Sequence, residues 1–329
     1  MKKNICHSCL KECKDSFCYT CSKLLFAGRK VSHLLEFTLP EFTDLKLREG
    51  NRISISGAQL KHSLKLDKNK LRLIQSGGEY ILKPVPRGVF MHLDQLPANE
   101  HLTMQIAKQV FGISTAPNAY IYFADKKPAY ITRRFDISPS GGRFVVEDFA
   151  QIAQKTEESD GQDYKYNYSY EEIGALIAKY AAASGIESEK FFRLVIFNYV
   201  ISNGDAHLKN FSMYRNNEYG DYLLTPAYDL VCTRIHSPYE SDMALELFAD
   251  GYESEGYKAG SKYLTEDFME FGERLGIKNT TIEIIINEFV QSEAKVRHLV
   301  ENSFLSSELR KEYLKHYKDK MQRIYLPVK

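Results

Sequence analysis

Residues 189–212 constrain the fold of this chain more than any other stretch. Residues 189–202 read as a helix that is apolar on nearly every side, with Phe191, Phe192, Leu194, Val195, Ile196, Phe197, Tyr199, Val200 and Ile201. A helix without a polar face belongs inside a domain, covered all round by other elements. It runs straight into Ser202-Asn203-Gly204-Asp205-Ala206-His207-Leu208-Lys209-Asn210-Phe211-Ser212. Ionisable groups placed directly after a core helix cost free energy unless some chemistry there uses them. The chain therefore needs a large helical core with a charged loop at one end.

The remaining pattern changes character along the chain. From about 50 to 84, short alternating runs (Ile53/Ile55, Leu64/Leu66, Leu71/Leu73, Tyr80/Leu82) are separated by Ser56-Gly57, Asp67-Lys68-Asn69 and Ser76-Gly77-Gly78, which predicts an antiparallel meander. Leu102, Ile106 and Val110 predict a helix over about 99–111, ended by Gly112. A strand pair is expected near 119–123 and 129–132, and a short element at 146–153. Ser169 with Glu172 forms a capping-box signature ahead of Ile173, Leu176, Ile177 and Tyr180, with Gly185 as the expected stop. Two further helices are expected near 280–302 and 306–324. Strands early and helices late imply an α+β fold in two lobes. The expected division is a Cys-rich segment at 1–26, a β-rich N-lobe at 27–132 and a helical C-lobe at 133–329.

Composition excludes several classes. With 329 residues, 43% hydrophobic and 26% charged, the chain is globular rather than disordered. Its longest strongly apolar stretch, 194–201, is far short of the roughly 20 residues of a membrane span. No apolar h-region follows the first residues, so a cytoplasmic location is expected. The formal net charge of +1 provides no global field for nucleic acid.

Five of the six cysteines lie in the first 21 residues. Cys6 and Cys9 make one C-x2-C knuckle, and Cys18 and Cys21 make another. Two such knuckles supply the four thiolates of a tetrahedral zinc site, leaving no open position, so the metal would be structural. A reduced, metal-free turn is the plainer alternative. Cys13 and His7 are spare donors.

In the charged loop, Asp205 and Asn210 stand five apart, the D-x-x-x-x-N spacing of kinase catalytic loops, where the Asp accepts a hydroxyl proton and the Asn binds metal. Taken alone, Asn-Gly-Asp is a common turn. Downstream, Asp229 in Ala227-Tyr228-Asp229-Leu230 presents a second acid suited to Mg²⁺. Lys83 lies on an expected central strand, where a cation needs an anionic partner; nucleotide phosphates and Glu100 on the following helix would supply it. Ile131-Thr132-Arg133-Arg134-Phe135-Asp136 falls where the two lobes would join.

The ordered series Ser54-Ile55-Ser56-Gly57-Ala58-Gln59-x-Lys61, Ile81-Leu82-Lys83-Pro84, Asn99-Glu100, Arg134-Phe135-Asp136, Glu147-Asp148-Phe149-Ala150-Gln151, Lys165-Tyr166, 203–210 and 227–230 resembles the HipA family, the serine/threonine kinase toxins of bacterial toxin–antitoxin systems. The resemblance implies a protein-kinase-like fold using ATP and Mg²⁺. By position, Asp205 would be the catalytic base, and Asn210 and Asp229 would hold Mg²⁺. Lys83, with Glu100, would bind the ATP phosphates. Arg133, Phe135 and Asp136 correspond to the adenine hinge, His207 and Lys209 to phosphate contacts, and Ser56-Gly57 to the phosphate loop. Ser54 or Ser56 would be autophosphorylated as an off-switch, since added negative charge beside bound phosphates is repulsive. The implied substrate is a translation-related protein such as an aminoacyl-tRNA synthetase. A HipB-like antitoxin is the implied partner, with DNA contacted only through it. The short stretch before the loop resembles the branch in which a separate small protein supplies the N-terminal subdomain. Two positions depart from the family pattern: Asn167-Tyr168-Ser169-Tyr170 replaces a Gly-rich turn after Tyr166, and Arg133 stands where an acid is usual.

Two other readings remain open: a small-molecule kinase of the aminoglycoside or choline type, and a mainly non-catalytic, antitoxin-binding co-repressor. Tyr164-Lys165-Tyr166-Asn167-Tyr168 reads as a surface loop of snorkelling tyrosines or as a single-strand binder. Arg310, Lys311, Lys315, Lys318, Lys320 and Arg323 read as a solvated helix face, or a face for DNA.

Overall fold

A computed structural model describes residues 4–48, 61–138, 142–215 and 220–325. Ser54, Ser56 and Gly57, with the strand expected at 53–55, lie outside the described residues. The chain begins with the cysteine knuckles and two helices, α1 (Tyr19–Phe26) and α2 (Leu39–Arg48). Strands β1 (His62–Asp67), β2 (Lys70–Leu73) and β3 (Tyr80–Pro84) follow, then helix α3 (Leu96–Gln109) and the hairpin β4 (Asn118–Tyr122) and β5 (Pro128–Arg133). These strands form one antiparallel sheet in the order β2-β1-β3-β5-β4.

The period-2 rule gives that sheet two different faces. Leu64, Tyr80, Leu82, Ala119, Ile121, Ala129 and Ile131 share one core with Cys6, Phe17, Cys21, Leu25, Phe26 and Phe42 of the N-terminal segment. Tyr120 and Tyr130 point the other way, into the core that contains Leu102 and Ile106 of α3. The outer face of the sheet is thus covered by residues 6–42 and the inner face by α3.

The second part is mainly helical. A small sheet of β6 (Val146–Asp148), β7 (Ser212–Arg215) and β8 (Tyr222–Leu224) lies beside the short helix α4 (Phe149–Ile152), which α5 (Glu157–Asp160) follows in the chain. Helix α6 (Tyr170–Tyr180) carries the expected capping box, with Ser169 and Glu172 bonded reciprocally. Helix α7 (Ser184–Val200) is the central element, and Phe191, Phe192, Val195, Ile196, Phe197, Tyr199 and Val200 are all fully buried. The expected stop at Gly185 is corrected: the break falls at Ala181, whose backbone is extended, and Gly185 lies in the first turn of α7. Helices α8 (Glu255–Gly260), α9 (Thr265–Arg274), α10 (Asn279–Val290), α11 (Glu293–Glu301) and α12 (Ser307–Met321) complete the chain. The single helix expected at 280–302 is two helices, because the chain turns at Gln291-Ser292 to bury both Phe289 and Val296.

The C-terminal cations also require correction, since a uniform solvated face is absent. Lys320 is buried, 2.6 Å from Asp242 and over the Tyr199 ring, and burial brings its pKa down to about 8 despite Asp242. Arg323 pairs with Asp242 and Asp319, and Arg310 donates to the carbonyls of Glu301, Ser303 and Leu305. Lys311, Lys315 and Lys318 are the exposed members of the set. No helix among the described residues is long and apolar enough to cross a membrane.

Gly78 sits where β3 begins, and a Cβ there would lie 2.6 Å from Ser63 Cβ and 3.0 Å from the Leu64 carbonyl oxygen. Because backbone must move, Gly78→Ala is expected to cost about 1–3 kcal/mol, read as a lowered thermal midpoint.

Candidate active site

Lys83 lies on β3 with its side chain 4% exposed. The strand's alternation sends Leu82 to the outer core and Lys83 to the inner face, beside Tyr130 of β5, with its Nζ 5.4 Å from that ring. Its ammonium donates to Glu100 Oε1 at 2.6 Å and to Asp229 Oδ1. Lys61 reaches the other oxygen of Asp229 at 3.1 Å. Two cations and two carboxylates thus form a closed cluster. Burial works against the Lys83 charge, but Asp229 and Glu100 outweigh it and hold its pKa above the ordinary range. Burial likewise opposes ionisation of Asp229, yet Lys83 and Lys61 hold its pKa well below the usual range. For Glu100 burial wins, and its pKa is raised.

Asp229 is held there by backbone as well as charge. It adopts left-handed geometry (φ +55), which Asp tolerates better than most residues and which still costs free energy. Three residues on, Asn99 of α3 clamps the main chain of Cys232, donating to its carbonyl at 2.9 Å and accepting from its N–H at 3.1 Å. The helix that carries Glu100 is thereby tied to the segment that carries Asp229.

Above this cluster opens a pocket lined by Lys61, Ile81, Lys83, Thr132 to Asp136, Val146, Ser212, Tyr228 and Asp229. The Phe135 and Tyr228 rings stack at 5.7 Å across it. Among the described residues, the N–H and C=O of Phe135 have no hydrogen-bond partner, so an edge of a planar heterocycle could pair with them. Arg133 continues β5, with its N–H on the Pro117 carbonyl. The Asp136 carboxylate is already engaged by Arg134 (2.6 Å) and Arg143 (2.9 Å), which makes it a brace of the pocket rim.

The charged loop follows α7. Asp205 is half exposed and accepts a 2.6 Å hydrogen bond from the Tyr166 hydroxyl. His207 lies 3.8 Å from Asp205 and packs edge-on against Tyr166; burial lowers its pKa. Asn210 closes a one-turn 3₁₀ segment, Leu208–Asn210, and accepts from the His207 N–H at 3.2 Å. Lys209 points away, with its Nζ 3.4 Å from the Tyr164 hydroxyl.

Three supports escaped sequence reasoning. The sequence pattern gives Tyr166 no role, and its companions Tyr164 and Tyr168 pack partly buried against the core from a loop whose neighbouring residues are exposed, as snorkelling tyrosines do. Tyr228 bonds Ser212 and the Lys209 carbonyl, joining the Asp229 segment to the charged loop after α7. Thr233 and Glu240 brace Gly204: the Gly204 N–H donates to Thr233 Oγ1 at 2.8 Å, and Thr233 donates to Glu240. A Cβ on Gly204 would meet the Ser241 carbonyl oxygen at 2.6 Å. Nothing in the local pattern around Glu240 marks it, because Gly204, the residue it braces through Thr233, lies far upstream on the loop after α7.

The Sγ atoms of Cys6, Cys9, Cys18 and Cys21 all lie within 4.8 Å of one another and could hold a metal ion. His7 and Cys13 stay outside this group: His7 donates to the Tyr120 carbonyl, and Cys13 to that of Asp15.

A model of the HipA-like C-terminal domain family matches residues 53–296. The chain belongs to that family. A protein of Haemophilus influenzae named putative kinase is 31% identical over 289 residues, 82% of this chain and 81% of that one. Longer relatives are matched over about half of their own length. Among solved structures, the HipA chain of a Shewanella oneidensis HipA–HipB–operator DNA complex superposes over 90% of this chain and 71% of that one, with TM-score 0.61 and 19% identity. The Helicobacter pylori proinflammatory kinase CtkA superposes over 79% and 92%, with TM-score 0.51 and 14% identity. At these identities the likeness is one of fold.

Burial raises the Glu240 pKa to about 7. An acid with a raised folded pKa costs nothing below its ordinary value, and its cost grows as pH climbs from there through 7. The thermal midpoint of Glu240→Gln relative to wild type is therefore expected to rise between pH 5 and pH 8. A pH-independent difference would show that Glu240 ionises freely in the folded protein.

Proposed function

We propose that this protein is an ATP- and Mg²⁺-dependent kinase that phosphorylates serine or threonine hydroxyls of another protein, as the toxin of a toxin–antitoxin pair. The observation that carries the reading is Lys83, buried between Glu100 and Asp229 at the floor of the pocket bounded by residues 132–136. A structural cation could be replaced by apolar packing at little cost; a lysine kept beneath an open pocket suits a phosphate ligand.

In this reading Lys83 holds phosphate oxygens while Glu100 fixes its position. Phe135 offers its main chain to the adenine edge between residues 132 and 136, and Arg133 and Asp136 shape that rim. Asn210 and Asp229 would hold magnesium, hard oxygen donors suited to it, and the bound ion would neutralise charge on the transferring phosphoryl group. Asp205 orients the acceptor hydroxyl and takes its proton as the acceptor oxygen bonds to the γ-phosphorus and the bond to the ADP oxygen breaks. Tyr166 holds Asp205 in place, and His207, as a neutral imidazole, and Lys209 on the same loop would contact phosphate. Lys61, which pairs with Asp229, closely follows Ser54, Ser56 and Gly57 in sequence, and this supports Ser56 and Gly57 as phosphate contacts and Ser54 or Ser56 as the autophosphorylated off-switch.

The Shewanella likeness supports a HipB-like antitoxin partner, with DNA reached through it. A translation-related protein such as an aminoacyl-tRNA synthetase remains the proposed substrate, the cytoplasm the proposed compartment, and residues 27–132 and 133–329 the proposed lobes.

Incubation with Mg²⁺ and ATP, followed by peptide mass spectrometry, is expected to add about 80 Da at Ser54 or Ser56, the mass of one phosphate. Asp205→Asn is expected to abolish this while keeping the unfolding free energy within about 1 kcal/mol of wild type, as exposed substitutions do. Transfer at the wild-type rate by Asp205→Asn would sink the mechanism. Tyr166→Phe is expected to retain nucleotide binding and lose about tenfold or more in kcat, through a base left unpositioned.

A further inference from the structure

The cysteine cluster is built into the sheet and into α3. Zinc–sulfur bonds of about 2.3 Å place tetrahedral sulfurs about 3.8 Å apart. Cys9 and Cys18 already stand with their sulfurs 3.8 Å apart, and the Cys18 N–H donates to Cys6 Sγ at 3.3 Å. Cys6 and Cys21 are buried and the other two are partly so. The arrangement needs no carboxylate or water to complete four-coordination.

What surrounds the cluster matters more. Between the first two ligands, the Ser8 carbonyl accepts from His101 Nε2 at 2.7 Å, and the Cys9 carbonyl accepts from Gln109 Nε2 at 3.0 Å. Both donors lie on α3, one beside Glu100 and one at the helix end. The same turn is bonded to β4: Ser8 Oγ donates to the Asn118 carbonyl at 2.8 Å, and the Tyr120 N–H donates to the His7 carbonyl at 2.9 Å. The His7 ring is stacked between His33 (4.0 Å) and Phe304 (4.9 Å). Leu10, just after the knuckle, is held at φ +63 and yet is buried in the core with Leu102 and Ile106. A leucine in left-handed geometry is strained and persists only where its surroundings over-determine it.

We propose that Cys6, Cys9, Cys18 and Cys21 bind one structural zinc ion whose role is to latch helix α3, and with it Glu100, against the sheet. Asn99 pins the start of α3 to Cys232; the knuckle pins His101 and the C-terminal end at Gln109. Glu100 lies between these two fixings, and its carboxylate sets the place of Lys83. With the metal bound, the carbonyls of Ser8 and Cys9 are rigid acceptors. Without it, the turn that presents them loses its covalent frame, and α3 keeps the Asn99 fixing, the bonds of Thr103 to Tyr313 and Gln105 to Asn118, and its packing.

The full chain, purified under reducing conditions without chelator, is expected to contain one zinc per chain by plasma mass spectrometry. Zinc withdrawal with a mercurial and a chelator is then followed by amide hydrogen exchange. Protection in α3 and β4 is expected to fall by about tenfold or more, while that of α7 is kept. Gln109→Leu provides a second arm that leaves every ligand in place: one zinc retained, with a smaller loss of protection confined to the end of α3. Absence of metal, unchanged exchange in α3 after withdrawal, or equal loosening of α7 would each overturn the latch. None of these readouts involves phosphate transfer, so failure of the latch and failure of the kinase reading are distinguishable.

Discussion

A buried ammonium is the constraint on which the rest of this structure depends. Lys83 is almost wholly removed from water, and an unpaired charge there would cost several kcal/mol. Its two carboxylates come from elements distant in sequence, Glu100 on α3 and Asp229 beyond the central helix. The chain can satisfy Lys83 only by bringing the sheet, α3 and the 227–230 segment to one point. That requirement explains why Asp229 accepts a left-handed backbone, and why Asn99 spends both halves of its amide on Cys232. The pocket is the space left above that junction.

Helix α3 is the part through which these demands meet. Residues Pro97 to Ala107 are all buried, including Asn99, Glu100, His101, Thr103 and Gln105. Such a polar helix can be buried only because each side chain has an assigned partner. Asn99 faces Cys232 and His236, Glu100 faces Lys83, His101 the Ser8 carbonyl, Thr103 the Tyr313 hydroxyl, and Gln105 Asn118. These partners belong to the cysteine turn, the sheet, the pocket floor and the last helix. A helix bonded in so many directions has one position, and the geometry of Lys83 inherits that definiteness.

The loop after α7 is supported differently, from its own side of the molecule. Tyr166 reaches Asp205 across 39 residues, and Thr233 reaches Gly204 across 29. The proposed base is left half exposed, as a group that must meet an acceptor hydroxyl should be, while its supports are buried or partly so. Glu240 lies behind the loop as a reluctant anion.

Periodicity alone determined much of this protein. The meander from His62, the strand pair around 120 and 130, α3, the capped α6 and the all-apolar α7 follow from local spacing, because core-facing residues must repeat with the period of their element. Order and spacing were also enough to single out Lys83, Glu100, Asp205, Asn210, Asp229 and the four cysteines. Only the tertiary structure decided what these residues lean on. Helices α1, α2, α8 and α9 run only 6 to 10 residues each, too few turns for a local apolar period to declare itself. The cations of α12 look solvated until Asp242, some 80 residues away, claims Lys320 and Arg323. Tyr166, Tyr228 and Thr233 act through hydrogen bonds to distant residues, and Glu240 reaches the loop through Thr233. Burial and partnership are properties of pairs, and a linear pattern records only one member of each.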